Sequence, residues 1–180
     1  MQLRTIAEED LEQVLLWRNE PGVRKNMYTN HLISWKEHKA WFENVKNDHL
    51  KRYFIFYSKK KDLGVINFTD IDFHAGSAFW GFYASKKSPP GTGLMMEYCA
   101  LKYAFDELRL HKLNCEVIEF NKSVINMHKK YGFKVEGTFR DYCFDGKRYH
   151  DVVRLGITEN EWEEARPSLL SRINDLTDGE

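Results

Sequence analysis

The sequence predicts one α/β (α+β) domain, a mixed and mostly antiparallel sheet of six to seven strands with flanking helices. Three observations carry this expectation. Strand-like runs at 52–57, 63–73 and 78–84 follow one another across short turns, which favours antiparallel pairing. Helical patterns lie on both sides of that block, two before it and further ones alternating with strands after it. A last pair of strand patterns, 134–144 and 147–157, is joined by Asp145-Gly146, a strong hairpin signal. The 180 residues suit a single domain, 1–180, and show neither an internal repeat nor a low-complexity linker.

The elements follow in order. Residues 2–6 alternate polar and apolar, as a strand does. Glu8, Glu9 and Asp10 suit the positive end of a helix, whose apolar stripe is Leu11, Val14, Leu15 and Trp17. Asn19-Glu20-Pro21-Gly22 is expected to stop it. Ser34 reads as an N-cap with Glu37 completing a capping box, opening a helix to about Lys46. The aromatic run 52–57 is a strand, 59–62 a polar turn, and a second turn falls near 74–77. After the Gly/Pro-rich stretch 86–93 comes a helical run, 94–108, and then a strand, 111–119. Asn121 is placed to cap a short helix from 122 to 130, which Gly132 ends in a left-handed C-cap. The tail from 159 is amphipathic around Trp162, Leu169, Leu170 and Ile173, and its final residues are expected to fray.

Composition excludes several classes. Lys+Arg and Asp+Glu number 27 each, so the chain lacks the cationic surplus of a general nucleic-acid binder. With 12 Phe, 9 Tyr and 5 Trp it has too much burial drive for disorder. No run of about 18 apolar residues predicts a membrane span, and the N-terminal pattern is not that of a secretory signal. The three cysteines, Cys99, Cys115 and Cys143, are odd in number and widely spaced. They suggest neither a disulfide framework nor a zinc site, and read as small buried hydrophobes in a reducing cytoplasm.

Two motifs carry chemistry. Ser88-Pro89-Pro90-Gly91-Thr92-Gly93 stands between a strand and a helix. Small residues there let backbone N–H groups turn toward a ligand, and a helix N-terminus adds unbonded amides and a positive dipole end. The result is a seat for phosphate oxygens with Lys86 and Lys87 at its rim, or else an ordinary turn. It is neither a Walker A loop nor a Rossmann fingerprint. The second motif is Asn121-x-x-Val124-x-x-x-His128-x-x-Tyr131-Gly132-Phe133. His128 within it is either a proton donor with an ordinary pKa of about 6.5 or a solvated cation at a helix C-terminus.

Together, and in nearly the whole order of elements, these motifs resemble the GNAT superfamily of acyl-CoA-dependent N-acetyltransferases. The resemblance implies acetyl-CoA as acetyl donor, with no metal. It makes the backbone amides of Gly91, Thr92, Gly93 and Leu94 the pyrophosphate cradle. The loop of that superfamily opens with Gln or Arg where Ser88 stands, which weakens a side-chain contact at Ser88 but not the backbone argument. The resemblance also implies that Phe82, Tyr83 and Ala84 pair with the pantetheine arm and that Asn121 touches it near the thiol. Many members carry Tyr at the position of His128, where it protonates the departing thiolate.

Within the superfamily, Trp17-Arg18-Asn19, the Ser34-x-x-x-His38 pattern, His128-Lys129-Lys130 before Gly132-Phe133, and Glu136-Gly137 resemble the pseudaminic acid pathway N-acetyltransferases. That likeness implies a UDP-linked 4-amino-4,6-dideoxy sugar as acceptor and Arg18, Asn19, Met27, Tyr28 and His38 as its binding residues. Arg18 would hold a pyrophosphate bidentately, Tyr28 or Trp35 would stack on uracil or the deoxysugar, and His38 would donate to phosphate or a hydroxyl. The plainer alternative puts Trp17 and Trp35 in the core, Arg18 at a helix end and His38 in solvent. No general base is assigned, because residues 77–80 hold no carboxylate; Asp70, Asp72, Glu116 and Glu119 are weak candidates. The expected partners are acetyl-CoA, the sugar nucleotide and a second copy of the chain in a homodimer, with neither nucleic acid nor membrane. The rival functions are acetylation of a polyamine or a ribosomal-protein N-terminus, a non-catalytic acyl-CoA-binding module, and an unrelated α+β domain.

Overall fold

Seven strands form one sheet in the order β1-β2-β3-β4-β5-β7-β6 in the computed structural model, which describes residues 1–178. They are β1 (Gln2–Thr5), β2 (Arg52–Ser58), β3 (Lys61–Asp72), β4 (Ser77–Ala84), β5 (Lys112–Ile118), β6 (Lys134–Phe144) and β7 (Tyr149–Thr158). The helices are α1 (Leu11–Arg18), α2 (Pro21–Arg24), α3 (Trp35–Lys46), α4 (Thr92–Lys102), α5 (Lys122–Lys130) and α6 (Glu159–Asp178). Every pairing is antiparallel except β4 with β5.

The β4–β5 exception positions the site. The two strands are in register only from Ser77↔Lys112 to Phe79↔Asn114. At the split the buried Asn114 donates its amide to the Ala78 carbonyl (3.1 Å). Beyond it, Trp80–Ala84 and Cys115–Ile118 separate into a cleft in the middle of the sheet. The facing edge of β4 thereby keeps backbone groups that no strand pairs, and such groups are satisfied by a ligand or by water.

The core lies mainly on the α4/α6 side, where Phe56, Phe68, Met96, Leu101, Leu113, Leu155 and Trp162 are buried together. A smaller cluster of Leu11, Val14, Trp17, Phe42, Ile55 and Val65 holds α1 and α3 on the other face. His150 ties the β6–β7 hairpin, placed between Asp145 Oδ2 (2.8 Å) and Glu119 Oε1 (3.2 Å).

Several local expectations change. Pro21 does not simply end a helix; it stands at N1 of α2, where its missing N–H costs nothing. Ser34 caps α3 by accepting from Glu37 N–H (3.2 Å), but Glu37 turns its carboxylate to His31 Nε2 (3.0 Å), so only half of the box forms. The helix after the glycine loop leaves α geometry at Lys102 and finishes as a π-helical stretch, Tyr103–Glu107. Asn121 occupies the N-cap of α5, and its main-chain carbonyl accepts from Val124 and Ile125 N–H, but its side chain caps no helix amide and accepts from Ser123 Oγ instead (3.3 Å). The closing hairpin is a four-residue loop, with Asp145 Oδ1 accepting from Lys147 and Arg148 N–H and Gly146 at φ 96°. Gly132 does adopt the left-handed conformation, at φ 105°. The fraying expected at the last residues falls on Gly179 and Glu180, outside the described residues.

Candidate active site

The split sheet opens a cleft of about 570 Å³ whose walls come from both halves of the chain. Its floor is β4, Trp80 to Ala84, and β5, Cys115 to Val117. Asn121, Val124 and His128 of α5 close one end. Arg18, Glu37, His38 and Trp41, with Met27 and Thr29 of the connection between α2 and α3, close the other.

At the α5 end, His128 is not the solvated cation of the plain alternative. Its side chain is 3% exposed, and Nδ1 lies 2.8 Å from Oε1 of Glu97, which is fully buried. Trp80, Phe82 and Phe133 surround the ring at centroid distances of 5.4, 6.2 and 5.0 Å. Burial disfavours the imidazolium, but the Cys115 sulfur and the Glu97 carboxylate outweigh it, and the His128 pKa is raised to about 10. The ring therefore carries its second proton at neutral pH. Nδ1 is committed to Glu97, the Cys115 sulfur is the ring's other side-chain partner, and a proton given away to a ligand would leave from Nε2. Glu97 escapes sequence reading, although one signal was present: it is the single carboxylate in the apolar run of α4 from Leu94 to Leu101.

The glycine loop is built as a ligand seat. Gly91 has φ 84°, a left-handed conformation that glycine alone adopts freely. The first helical bond of α4 runs from Met95 N–H to the Gly91 carbonyl (3.1 Å). Gly93 and Leu94 thus keep amides directed out of the helix end. Thr92 differs from expectation, since its N–H bonds the Pro89 carbonyl (3.2 Å). Ser88 spends its hydroxyl on the Leu63 carbonyl (2.7 Å) and serves the loop's shape rather than a ligand contact. These amides and the unpaired edge of β4 fit an extended, diphosphate-bearing cofactor.

A Gly91→Ala variant should lose about 1–2 kcal/mol of stability to left-handed strain. Its new Cβ would also lie 2.8 Å from Leu176 Cδ1. A raised KM for acetyl-CoA should accompany the loss, whereas Gly22→Ala, which meets nothing within 4 Å, should change neither. Thermal unfolding and initial rates check both.

At the acceptor end the expected residues divide. Arg18, Met27 and His38 line the cleft; Asn19 and Tyr28 do not. Asn19 clasps the backbone of Ile33 in both directions, at 2.9 Å each, and fixes the loop before α3. Tyr28 donates to Glu116 Oε2 (2.6 Å) and packs edge-on against Tyr142, so it straps the loop across the sheet. Arg18 Nη2 donates to the Thr29 carbonyl (2.7 Å), which fixes the guanidinium against the connection between α2 and α3. Its Nη1 is buried and has no partner. Trp17 is core, as the plain alternative has it, but Trp35 is 44% exposed and His38 only 4%.

None of the four carboxylates considered as a base is free in the cleft. Glu116 is held by Tyr28 and by Arg154 (3.1 Å). Asp72 accepts from the His74 and Ala75 amides in the turn after β3, and Asp70 is exposed near the end of β3. Glu119 belongs to the His150 cluster.

A sheet split between parallel neighbours, an amide-lined loop at one helix N-terminus and a buried histidine beside the split are the arrangement of an acyl-CoA-dependent N-acyltransferase. The family model described as an acetyltransferase (GNAT) domain matches residues 3–153, and the chain belongs to that family. It is an acetyl-CoA-dependent N-acetyltransferase. Its relatives include the acetyltransferase PseH of Campylobacter jejuni (strain 81-176), 27% identical over 137 residues, 76% of this chain and 85% of that one. The spermidine N(1)-acetyltransferase of Vibrio cholerae is 24% identical over 162 residues, 89% and 94% of the two chains. The crystal structure of spermidine N-acetyltransferase from Vibrio cholerae in complex with CoA and spermine superposes with a TM-score of 0.84. It is 23% identical and covers 89% of this chain and 96% of that one, a likeness of fold. Among the described residues no helix is long and apolar enough to cross a membrane, and no group of side chains suits a metal ion.

Proposed function

We propose that the protein transfers acetyl from acetyl-CoA to the 4-amino group of a UDP-linked 4-amino-4,6-dideoxy-N-acetyl hexosamine, directly and without an acyl-enzyme. One observation carries the reading: the buried, unpartnered Nη1 of Arg18 at the acceptor end of a cleft that offers no free carboxylate. A polycationic acceptor would be held by clustered carboxylates. Of Glu37, Asp70 and Asp72, only Glu37 lines the cleft, and it is paired with His31. A buried guanidinium N–H instead asks for an anionic or oxygen-rich partner, as a diphosphate is.

The chain's own groups then share the work. Gly93 and Leu94 amides hold the pyrophosphate of the donor, and the free edge of β4 aligns its arm toward His128. Acetyl-CoA supplies the thioester carbonyl. Backbone N–H groups of β4 polarise it, and His128 Nε2–H protonates the departing sulfur. The resident aromatic rings exclude water from that proton. Within a turnover assay on the UDP-4-amino sugar, Arg18→Ala should raise the acceptor KM about tenfold or more, a lost charge-assisted bond. The KM for acetyl-CoA should stay unchanged. Equal turnover of spermidine and the sugar nucleotide by the parent protein would remove this reading.

A further inference from the structure

We infer that the Asn67 carboxamide, leaning over the bare backbone of Gly81, is a specificity-determining group of the acceptor end and binds the uncharged hydroxyl that neighbours the reacting amine. This deepens the reading of the acceptor as a UDP-linked amino sugar and rests on it.

Strand alternation places the pair. Trp80 and Phe82 pack into the core on the α4/α6 side, so Gly81 between them faces α1 and α3. Tyr83, two residues on, packs with the cluster on that face. Tyr53 of β2, Asn67 of β3 and Gly81 of β4 are successive register partners, and all three line the cleft. The row stops at Gly81, because the pairing of β4 with β5 ends at Phe79.

Gly81 leaves a hollow at the end of that row. It is not among the glycines of positive φ, so its backbone conformation does not call for glycine. The atoms nearest to a Cβ built there all belong to Asn67, Oδ1 at 3.4 Å, Nδ2 at 3.8 Å and Cγ at 4.0 Å, which is ordinary contact. Gly64 of β3 is different, since a Cβ there would strike the Tyr83 carbonyl and the fold itself demands the glycine. A glycine inside a strand weakens the strand, and one that the fold does not demand marks the close approach of something else.

The carboxamide is available to bind. Asn67 is half-buried, and among the described residues its side chain makes no hydrogen bond with another protein group. An amide both donates and accepts, and a hydroxyl does the same. An ammonium only donates and a phosphate oxygen only accepts, so neither matches it fully; the cleft meets its anion at Arg18 instead. A hollow the size of one missing side chain suits a small group.

Its place selects which hydroxyl. Trp80 and Phe82, the chain neighbours of Gly81, pack on the His128 ring at 5.4 and 6.2 Å. The hollow therefore lies on the opposite face of the same free edge, level with His128. A group seated there stands next to the nitrogen that attacks at that edge. In a 4-amino-4,6-dideoxy hexosamine one carbon beside the amine carries a hydroxyl and the other carries only the methyl group. Asn67 takes that hydroxyl and turns the amine toward the thioester from the α3 side, while His128 waits on the α5 side.

Steady-state kinetics test it with two acceptors, the UDP-4-amino-4,6-dideoxy sugar and its analogue lacking the hydroxyl beside the amine. Asn67→Ala should lower kcat/KM for the full sugar about tenfold or more, the loss of a bond made to a buried polar group. On the deoxy analogue, parent and Asn67→Ala should perform alike, and the KM for acetyl-CoA should not move. Gly81→Ala, which fills the hollow, should be slow on the full sugar and unfold no earlier than the parent. Equal losses on both acceptors would mean that Asn67 only shapes the cleft, and would overturn the inference. So would full activity of Asn67→Ala or of Gly81→Ala on the sugar. Those results leave the acceptor reading standing, because the parent still acetylates the sugar nucleotide. Failure of the parent on both sugars would instead remove the acceptor reading and this inference with it.

Discussion

A His128→Ala variant is expected to lose about 10²–10⁴-fold in kcat, the range general acids contribute. The departing thiolate then has to find its proton in a cleft walled by Trp80, Phe82 and Phe133. That variant also leaves Glu97 as an unpaired carboxylate in a fully buried place. Loss of fold and loss of chemistry must therefore be separated. The double variant His128→Ala/Glu97→Gln removes the orphan charge, so stability should return while the rate does not. Full turnover by the double variant would exclude His128 from the chemistry.

The second large effect falls on Glu97 itself. Glu97→Ala breaks a buried ion pair from one side, which costs about 3–5 kcal/mol. The milder Glu97→Gln should reveal its contribution through pH. His128 has a folded pKa of about 10, raised above the ordinary value of 6.5. A raised folded pKa gives stability that is fully present below pH 6.5 and is lost as pH climbs through about 10. Denaturant midpoints of the parent should fall across that window, and the Glu97→Gln protein should show a shallower decline, with the Cys115 contribution remaining. The same substitution should move the alkaline limb of kcat toward neutrality. Identical pH profiles for the two proteins would mean that Glu97 neither charges nor orients the donor.

The two halves of this site were unequally legible in the sequence. The glycine loop and the run from Asn121 to Phe133 are local patterns, in which spacing alone places a turn, a helix end and a left-handed glycine. They place His128 on α5, where the structure has it lining the cleft. The charge state of His128 was not legible, because it depends on Glu97 of α4 and Cys115 of β5, which only the fold brings to it. His38 belongs to the Ser34-x-x-x-His38 pattern, but the pattern gives no sign of its burial against Trp41. Asn19 and Tyr28 are implied as substrate contacts by the resemblance to the pseudaminic acid pathway enzymes. Their bonds go instead to Ile33 and Glu116, and they shape the acceptor end without lining it. The split between β4 and β5 is not legible locally, since it depends on how two strands 28 or more residues apart in the chain (Ala84 to Lys112) pair.

The balanced charge of 27 against 27 also acquires a physical meaning. Two diphosphate ligands need no basic surface if one is held by backbone amides at the α4 N-terminus and the other meets a single buried guanidinium. That arrangement is the central claim, and release of free CoA thiol measures it most directly. The parent protein, given acetyl-CoA, is offered UDP-4-amino-4,6-dideoxy sugars, polyamines and N-terminal peptides in parallel. Release with the UDP-amino sugar, and its loss in Arg18→Ala, is the predicted result. Release with spermidine alone, undiminished in Arg18→Ala, would contradict it.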